Sequence, residues 1–270
     1  MIYKDGKERT APVAINKNGV RQKIRKRRLK SALFTGLGLL FISLAGYGGY
    51  SLANSSFFDL QEIGVEGNVS VSREELVELS GLSTGMNLLK ISRQQAAESL
   101  LTHPYIKEAV VSVSLPDRVE ISVTERLPMA LISGDGRYLV LDESGCCLAE
   151  VGLAAAESWP LPGIRCNADA MDLLPGEQTE DKGVLAALVL IQKLDPFFLE
   201  NILEFEAPSA ERLAVINMDG LRVYFGPPED LDRKLQNYEE LLIKNREKCN
   251  AETLDYVDLR YDTQITLQWK

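Results

Sequence analysis

The first pattern along the chain is a run of 23 uncharged residues, Ser31 to Ala53, reading SALFTGLGLLFISLAGYGGYSLA. As an α-helix rising ~1.5 Å per residue it reaches ~34 Å, enough to cross a ~30 Å hydrocarbon core. A helix also satisfies its own backbone polar groups, as lipid requires. After a short tether, 54–58, the period changes. Leu60 to Val65 reads as a strand closed by Gly67-Asn68. Ser72-Arg73-Glu74-Glu75 is a capping box that opens a short helix ended by Gly81. Ser92-Arg93-Gln94-Gln95 repeats the device, and the second helix stops before Pro104. Apolar and polar residues then alternate in Val111–Leu115 and Val119–Thr124, on either side of a Pro116-Asp117 turn. The order is β-α-α-β-β, a small sheet with one face under two helices, hence α+β.

A second, β-rich unit starts near Pro128. Met129 to Ser133 and Tyr138 to Leu141 form a hairpin about Gly134-Asp135-Gly136. Trp159-Pro160-Leu161-Pro162-Gly163 reads as a stiff extended connector, because proline restrains both itself and its predecessor. Gly183 to Leu194 is a helix, and Leu199 to Leu203 reads as one more helical turn beyond Pro196. Arg212 to Asn217 and Leu221 to Phe225 pair about Asp219-Gly220. A long amphipathic helix runs from Pro228 to about Lys248. Leu254 to Tyr261 and Ile265 to Trp269 are the last strands, and an edge uncovered by any tail is expected at Lys270.

Charge turns the apolar run into a topology. Residues 1–30 hold eleven Lys or Arg against two acids; the remaining 240 hold 19 basic and 37 acidic groups. Seven of the cations lie between Arg21 and Lys30, and the first charge after the run is Asp59. The positive-inside rule keeps the N-terminus in the cytoplasm and exports the rest. A cleaved signal peptide is the main alternative, but the basic region is long and the run exceeds the usual ~7–15-residue signal core. The acidic body does not favour nucleic acid or anionic lipid.

Candidate chemistry is sparse. Cys146, Cys147, Cys166 and Cys249 lack CxxC spacing, so zinc is not indicated. One of the first two could pair with Cys166, or all could be small buried apolar residues. His103 is the only histidine, which leaves no metal pair and no easy triad, and there is no Gly-x-Ser-x-Gly elbow. Gly134-x-Gly136 is not followed by Gly-Lys-Ser/Thr and reads as a turn. Paired carboxylates of a glycoside hydrolase have 37 acids to draw on, but with so many a solvated surface is the ordinary reading. No catalytic residue, metal site or cofactor is expected, and no small-molecule substrate.

The order of basic tail, single span, β-α-α-β-β unit and β-rich unit resembles the bacterial cell-division family FtsQ/DivIB. Residues 103–128, HPYIKEAVVSVSLPDRVEISVTERLP, are similar to the closing half of that family's POTRA domain, including the Pro-Asp-Arg turn and the Thr-Glu-Arg-x-Pro exit. Leu161-Pro162-Gly163 resembles its connector, and YVDLRYD at 256–262, with Trp269 beyond, its final strand pair. The stretch 164–210 carries least of the likeness. The resemblance implies a basic cytoplasmic tail (1–30), a transmembrane helix (31–53), a POTRA domain (58–127) and a β domain (128–270) with an exposed terminal edge strand. It implies a non-catalytic, single-pass scaffold in the cytoplasmic membrane at the division septum. The implied partners are FtsB/DivIC and FtsL and, through them, septal peptidoglycan synthesis. The contact would be strand addition at the last β edge, with Arg260, Tyr261, Thr263, Gln264 and Trp269 as partner-binding residues. Gln264 stands where some members carry glycine, and Thr263 where they carry serine. Physics suits such a contact: an open edge offers unpaired backbone groups and an aromatic offers an anchor. Tyr261 and Trp269 would equally suit ordinary core positions. Two other functions compete: a POTRA-bearing export or outer-membrane assembly factor, which calls for a barrel, and an anchored cell-wall hydrolase.

Overall fold

The computed structural model describes residues 17–134, 136–245, 252–261 and 265–270. Helix α1 spans Lys17–Ala53. It starts well before the apolar run, because nothing between Val20 and Leu33 is proline or glycine and Lys and Arg are good helix formers. Leu33–Ala53 is long and apolar enough to cross a membrane. Its leucine and phenylalanine side chains are exposed on every side, so they lack protein partners. This single N-terminal apolar helix suggests a membrane anchor.

Residues 60 onward form a separate compact unit from the anchor. Its first part contains β1 (Glu62–Glu66), α2 (Arg73–Ser80), α3 (Arg93–Leu100), β2 (Ile106–Ser114) and β3 (Arg118–Glu125). The sheet order is β1-β3-β2, with β3 parallel to β1 and antiparallel to β2. The N-cap half of each capping box forms where the spacing predicts it. The Glu75 N–H donates to Ser72 Oγ at 3.2 Å, and the Gln95 N–H to Ser92 Oγ at 3.3 Å. Gly81 ends α2 in the left-handed region, at φ 68°. Val119, Ile121 and Val123 of β3 are buried in one core with Leu76, Ala96 and Leu100 of the helices. The first strand starts later than its pattern suggests. Leu60 donates its N–H to the Met86 carbonyl and accepts from the Gly85 N–H, both at 2.8 Å, so it pairs with a loop instead of the sheet.

The β-rich part holds β4 (Pro128–Gly134), β5 (Arg137–Asp142), β6 (Cys147–Val151), α4 (Leu153–Ala156), β7 (Gly163–Arg165), α5 (Lys182–Lys193), α6 (Pro196–Leu199), β8 (Ile202–Glu206), β9 (Ala214–Asn217), β10 (Arg222–Tyr224), α7 (Leu231–Asn245), β11 (Leu254–Asp258) and β12 (Thr266–Trp269). They make one open sheet in the order β12-β11-β10-β9-β8-β7-β4-β5-β6. One transverse row of paired residues, from Leu267 through Val257, Val223, Val215, Phe205 and Ile164 to Ile132, faces the main core. Leu188 and Leu190 of α5 and Leu235, Tyr238 and Leu241 of α7 belong to the same core. The opposite face carries a smaller cluster of Leu131, Val140, Leu148 and Ala156, against which Tyr105, Trp159 and Leu161 pack.

One local expectation is corrected. The helical turn at Leu199 to Leu203 is half strand. Helix α6 ends at Leu199, where Asn201 Nδ2 donates to the Phe197 carbonyl at 2.7 Å, and β8 begins at Ile202. A bulge between Ile202 and Glu204 breaks the period-two pattern that would have marked it. Cys146, Cys147 and Cys166 are free thiols. Burial pushes Cys147 up to about 11 and, together with Asp181, does the same to Cys166. They are neutral packing residues. Cys249 lies outside the described residues.

Candidate partner-binding strand edge

The chain arrives at the sheet edge through a parallel crossover. β10 leads into α7, and α7 returns to β11, whose Val257 lies beside Val223. β12 then folds back antiparallel, with Asp258 opposite Thr266 and Leu254 opposite Trp269. No described strand lies beyond β12. Its inner side is secured because Leu267 packs on the main core. Thr266, Gln268 and Trp269 are exposed.

Where β11 ends, the chain is held by a charged clamp. The Arg260 backbone N–H donates to Asp258 Oδ1 at 3.0 Å, its Nε to the same oxygen at 2.9 Å, and its Nη2 to Oδ2 at 2.6 Å. The Asp258 side chain is 7% exposed. Hydrogen bonding from Arg260 outweighs burial and holds its carboxyl below the usual carboxylate range. Asp258 in turn raises the already high Arg260. The guanidinium carbon sits 5.2 Å from the Tyr224 ring centroid and 5.8 Å from that of Tyr261, within cation–π range. Tyr224 meets Tyr256 edge-on at 5.5 Å. Gly226, at φ +65°, makes room: a Cβ there would lie 2.8 Å from Arg260 Cγ. The Leu259 N–H donates to the Tyr224 carbonyl at 2.8 Å and carries the β10 pairing into this turn.

Of the five residues singled out by sequence, Arg260 and Tyr261 are brought together at one end of the edge. Trp269 stands at the other end, three residues beyond Thr266 and so ~10 Å along the strand. Thr263 and Gln264 lie outside the described residues. Tyr261 is 66% and Trp269 52% exposed, so neither is a core residue. Arg260 is a strut as much as a contact, since Asp258 and Tyr224 already hold it. Tyr224 and Gly226 were not marked by sequence, and Tyr256 and Asp258 only as part of the YVDLRYD stretch, with no role of their own. Strand alternation in Arg222–Tyr224 and Leu254–Asp258 places Tyr224, Tyr256 and Asp258 on one face, but only the parallel pairing of β10 with β11 joins them. His103 has a local role: its Nδ1 accepts from the Tyr105 N–H at 3.2 Å, and its Nε2 lies 3.4 Å from Glu75.

Comparison with known proteins identifies the two folded parts of the chain. The family model for the FtsQ-type POTRA domain matches residues 58–126, and that for the C-terminal domain of cell division protein FtsQ/DivIB matches 130–260. Cell division protein FtsQ of Syntrophotalea carbinolica is 25% identical over 236 residues, covering 86% of this chain and 81% of its own. Cell division protein DivIB of Clostridium botulinum strain Loch Maree is 25% identical over 218 residues, 76% and 80% of the two chains. FtsQ of Geotalea daltonii is 25% identical over 260 residues, covering 94% and 90%. With an N-terminal apolar helix, a POTRA domain and a β-rich C-terminal domain in the family's order, this chain belongs to the FtsQ/DivIB family of cell division proteins.

Proposed function

We propose that the chain is a non-catalytic, membrane-anchored scaffold that captures a strand of a division partner along β12. The observation that carries this reading is the outer side of β12, which no described strand occupies and which exposed Tyr261 and Trp269 flank. A partner strand would complete the backbone pairing, while the two aromatics supply burial at either end. The partner class is the FtsB/DivIC and FtsL type. The division of the chain is a basic tail 1–30, a span 31–53, a POTRA unit 58–127 and a β unit 128–270. The N-terminus lies in the cytoplasm, with both folded units on the far side of the cytoplasmic membrane at the septum, as the basic-before, acidic-after charge pattern favours. An outer-membrane assembly factor would call for a closed barrel. The sheet here is open, with helices in the core on one face, which favours the scaffold.

The test is a binding titration of the full chain in nanodiscs against an FtsB/DivIC–FtsL complex. Replacing Tyr261 and Trp269 together by Ala should weaken binding by about 100-fold or more, the loss of roughly two hot-spot residues. The circular dichroism should not change. Full affinity in that variant sinks the edge assignment. Protease treatment of intact cells should digest the acidic units and spare the basic tail.

A further inference from the structure

The Thr-Glu-Arg-x-Pro exit from β3 carries two adjacent charges that face in different directions. Glu125 faces back into its own unit, where its carboxylate accepts from the N–H groups of Val69 and Ser70 at 2.8 Å and of Val71 at 3.1 Å. Arg126 reaches forward. Its Nη1 donates to Asp142 Oδ2 at 2.7 Å, at the end of β5 in the β unit. The Asp142 side chain is 2% exposed. Its other oxygen accepts from the Ser144 N–H, the Ser144 hydroxyl and the Cys146 N–H, all at 2.8 Å. Asp142 is therefore a fixed socket built into the β5–β6 turn, and Arg126 is the side chain of the other unit that enters it.

Two further contacts cross the same junction. Lys107 Nζ lies 2.8 Å from Glu143 Oε1, and Tyr105 packs on the cluster that contains Leu131, Val140 and Leu148. The covalent link is short, and Pro128 biases Leu127 toward extended backbone, but the link does not by itself set which faces of the two units meet. One residue, Leu127, separates Arg126 from the start of β4 at Pro128, and it is 76% exposed. A side chain so solvated holds neither unit, so the relative orientation has to come from contacts on either side of it.

We propose that Arg126 and Asp142 form a lock that fixes the POTRA unit against the β unit, so that the two move as one body and hinge at Leu127 when the pair is broken. Glu125 makes the lock effective by tying the exit of β3 to the loop before α2, so that force on Arg126 reaches the POTRA core and not a loose end. The lock does not depend on which partner occupies β12.

The Lys107–Glu143 contact supplies a direct reporter. A carbodiimide activates the Glu143 carboxyl, the Lys107 amine displaces the resulting urea, and a zero-length amide forms only while the junction is closed. Lys193 and Asp232, paired within the β unit, serve as the internal control. In the full chain in nanodiscs, Arg126→Gln should lower the Lys107–Glu143 cross-link yield roughly tenfold, because a buried carboxylate loses its cation and the closed state its main hold. Asp142→Asn should do the same from the other side, and Arg126→Lys should restore part of the yield. The Lys193–Asp232 yield should stay at the wild-type level throughout. Unchanged junction cross-linking in both Arg126→Gln and Asp142→Asn overturns the lock. Loss of both cross-links together also overturns it, since the pair would then be a requirement for folding and not a joint.

Discussion

The two ends of the nine-stranded sheet meet the same physical problem and treat it differently. At the start of β6, around Gly145 and Cys147, the chain closes its own edge. The Cys147 N–H donates to the Glu177 carbonyl at 2.8 Å, the Gly176 N–H to the Cys147 carbonyl at 2.7 Å, and the Thr179 N–H to the Gly145 carbonyl at 2.9 Å. At β12 no described strand does this. Closing an edge takes special residues: Gly145 and Gly176 both sit at positive φ, +84° and +95°. An uncovered edge invites indiscriminate pairing, and proteins ordinarily blunt it. One end thus carries a built cap at its start, whereas at the other no described strand supplies one, which is what the proposed strand addition requires.

The largest effect is expected from uncapping the start of β6. A side chain at Gly145 would meet Thr179 Cγ2 at 2.7 Å and Leu185 Cδ2 at 3.1 Å. Gly145→Val should therefore cost about 3 kcal/mol by urea denaturation, through overpacking added to backbone strain. It should also introduce concentration-dependent self-association, read by analytical ultracentrifugation. If the variant is as stable and as monomeric as the parent, the cap does not protect that edge. Next in size is the open end. Trp269→Ala alone should lose about 2 kcal/mol of partner binding by calorimetry, while the unfolding free energy moves by less than ~0.5 kcal/mol, as for other exposed sites. A matching loss in stability would make Trp269 a structural residue.

Acid should act on both ends. Asp142 beside the capped edge and Asp258 beside the open one each have a folded carboxyl held below its ordinary range. For Asp142, burial acts upward and is outweighed by Arg126, the Cys146 amide and Ser144; for Asp258, Arg260 dominates. Groups of this kind contribute stability that is complete above the unfolded carboxylate value of about 4 and is lost as pH falls through it toward the depressed folded values. The melting temperature should fall steadily below about pH 4, and Asp258→Asn should flatten part of that fall. An equally steep profile in that variant would remove Asp258 from the account. The smallest effect is expected from Thr266→Lys on the exposed strand. Stability should stay within ~0.5 kcal/mol, with strand addition weakened, because edge lysine is a common guard against pairing.

How much of this was legible depends on how local the signal is. The Ser72 and Ser92 caps, the Gly81 stop and the β2–β3 alternation are set by residues within a few positions of each other, and each formed where the spacing put it. β8 was hidden by its bulge. β6 and β7 were hidden because Cys147–Val151 does not alternate cleanly and Gly163–Arg165 is three residues long. At the candidate edge, the aromatics Tyr261 and Trp269 could be named from sequence but not their exposure. The clamp of Arg260 on Asp258 and Tyr224 could not be seen. It depends on bringing β10 beside β11 across the whole of α7, a pairing that no window of sequence contains.

The length of β12 has an arithmetic consequence. Four residues extend ~13 Å, and alternate ones turn their amide and carbonyl outward, so an added segment gains about four backbone bonds. At a net ~1 kcal/mol each these sum to ~4 kcal/mol, a millimolar grip before any ordering entropy is subtracted. If β12 receives a partner strand as proposed, backbone complementarity sets alignment and direction, and residence time and discrimination come from the aromatic rings at the two ends and the guanidinium at one.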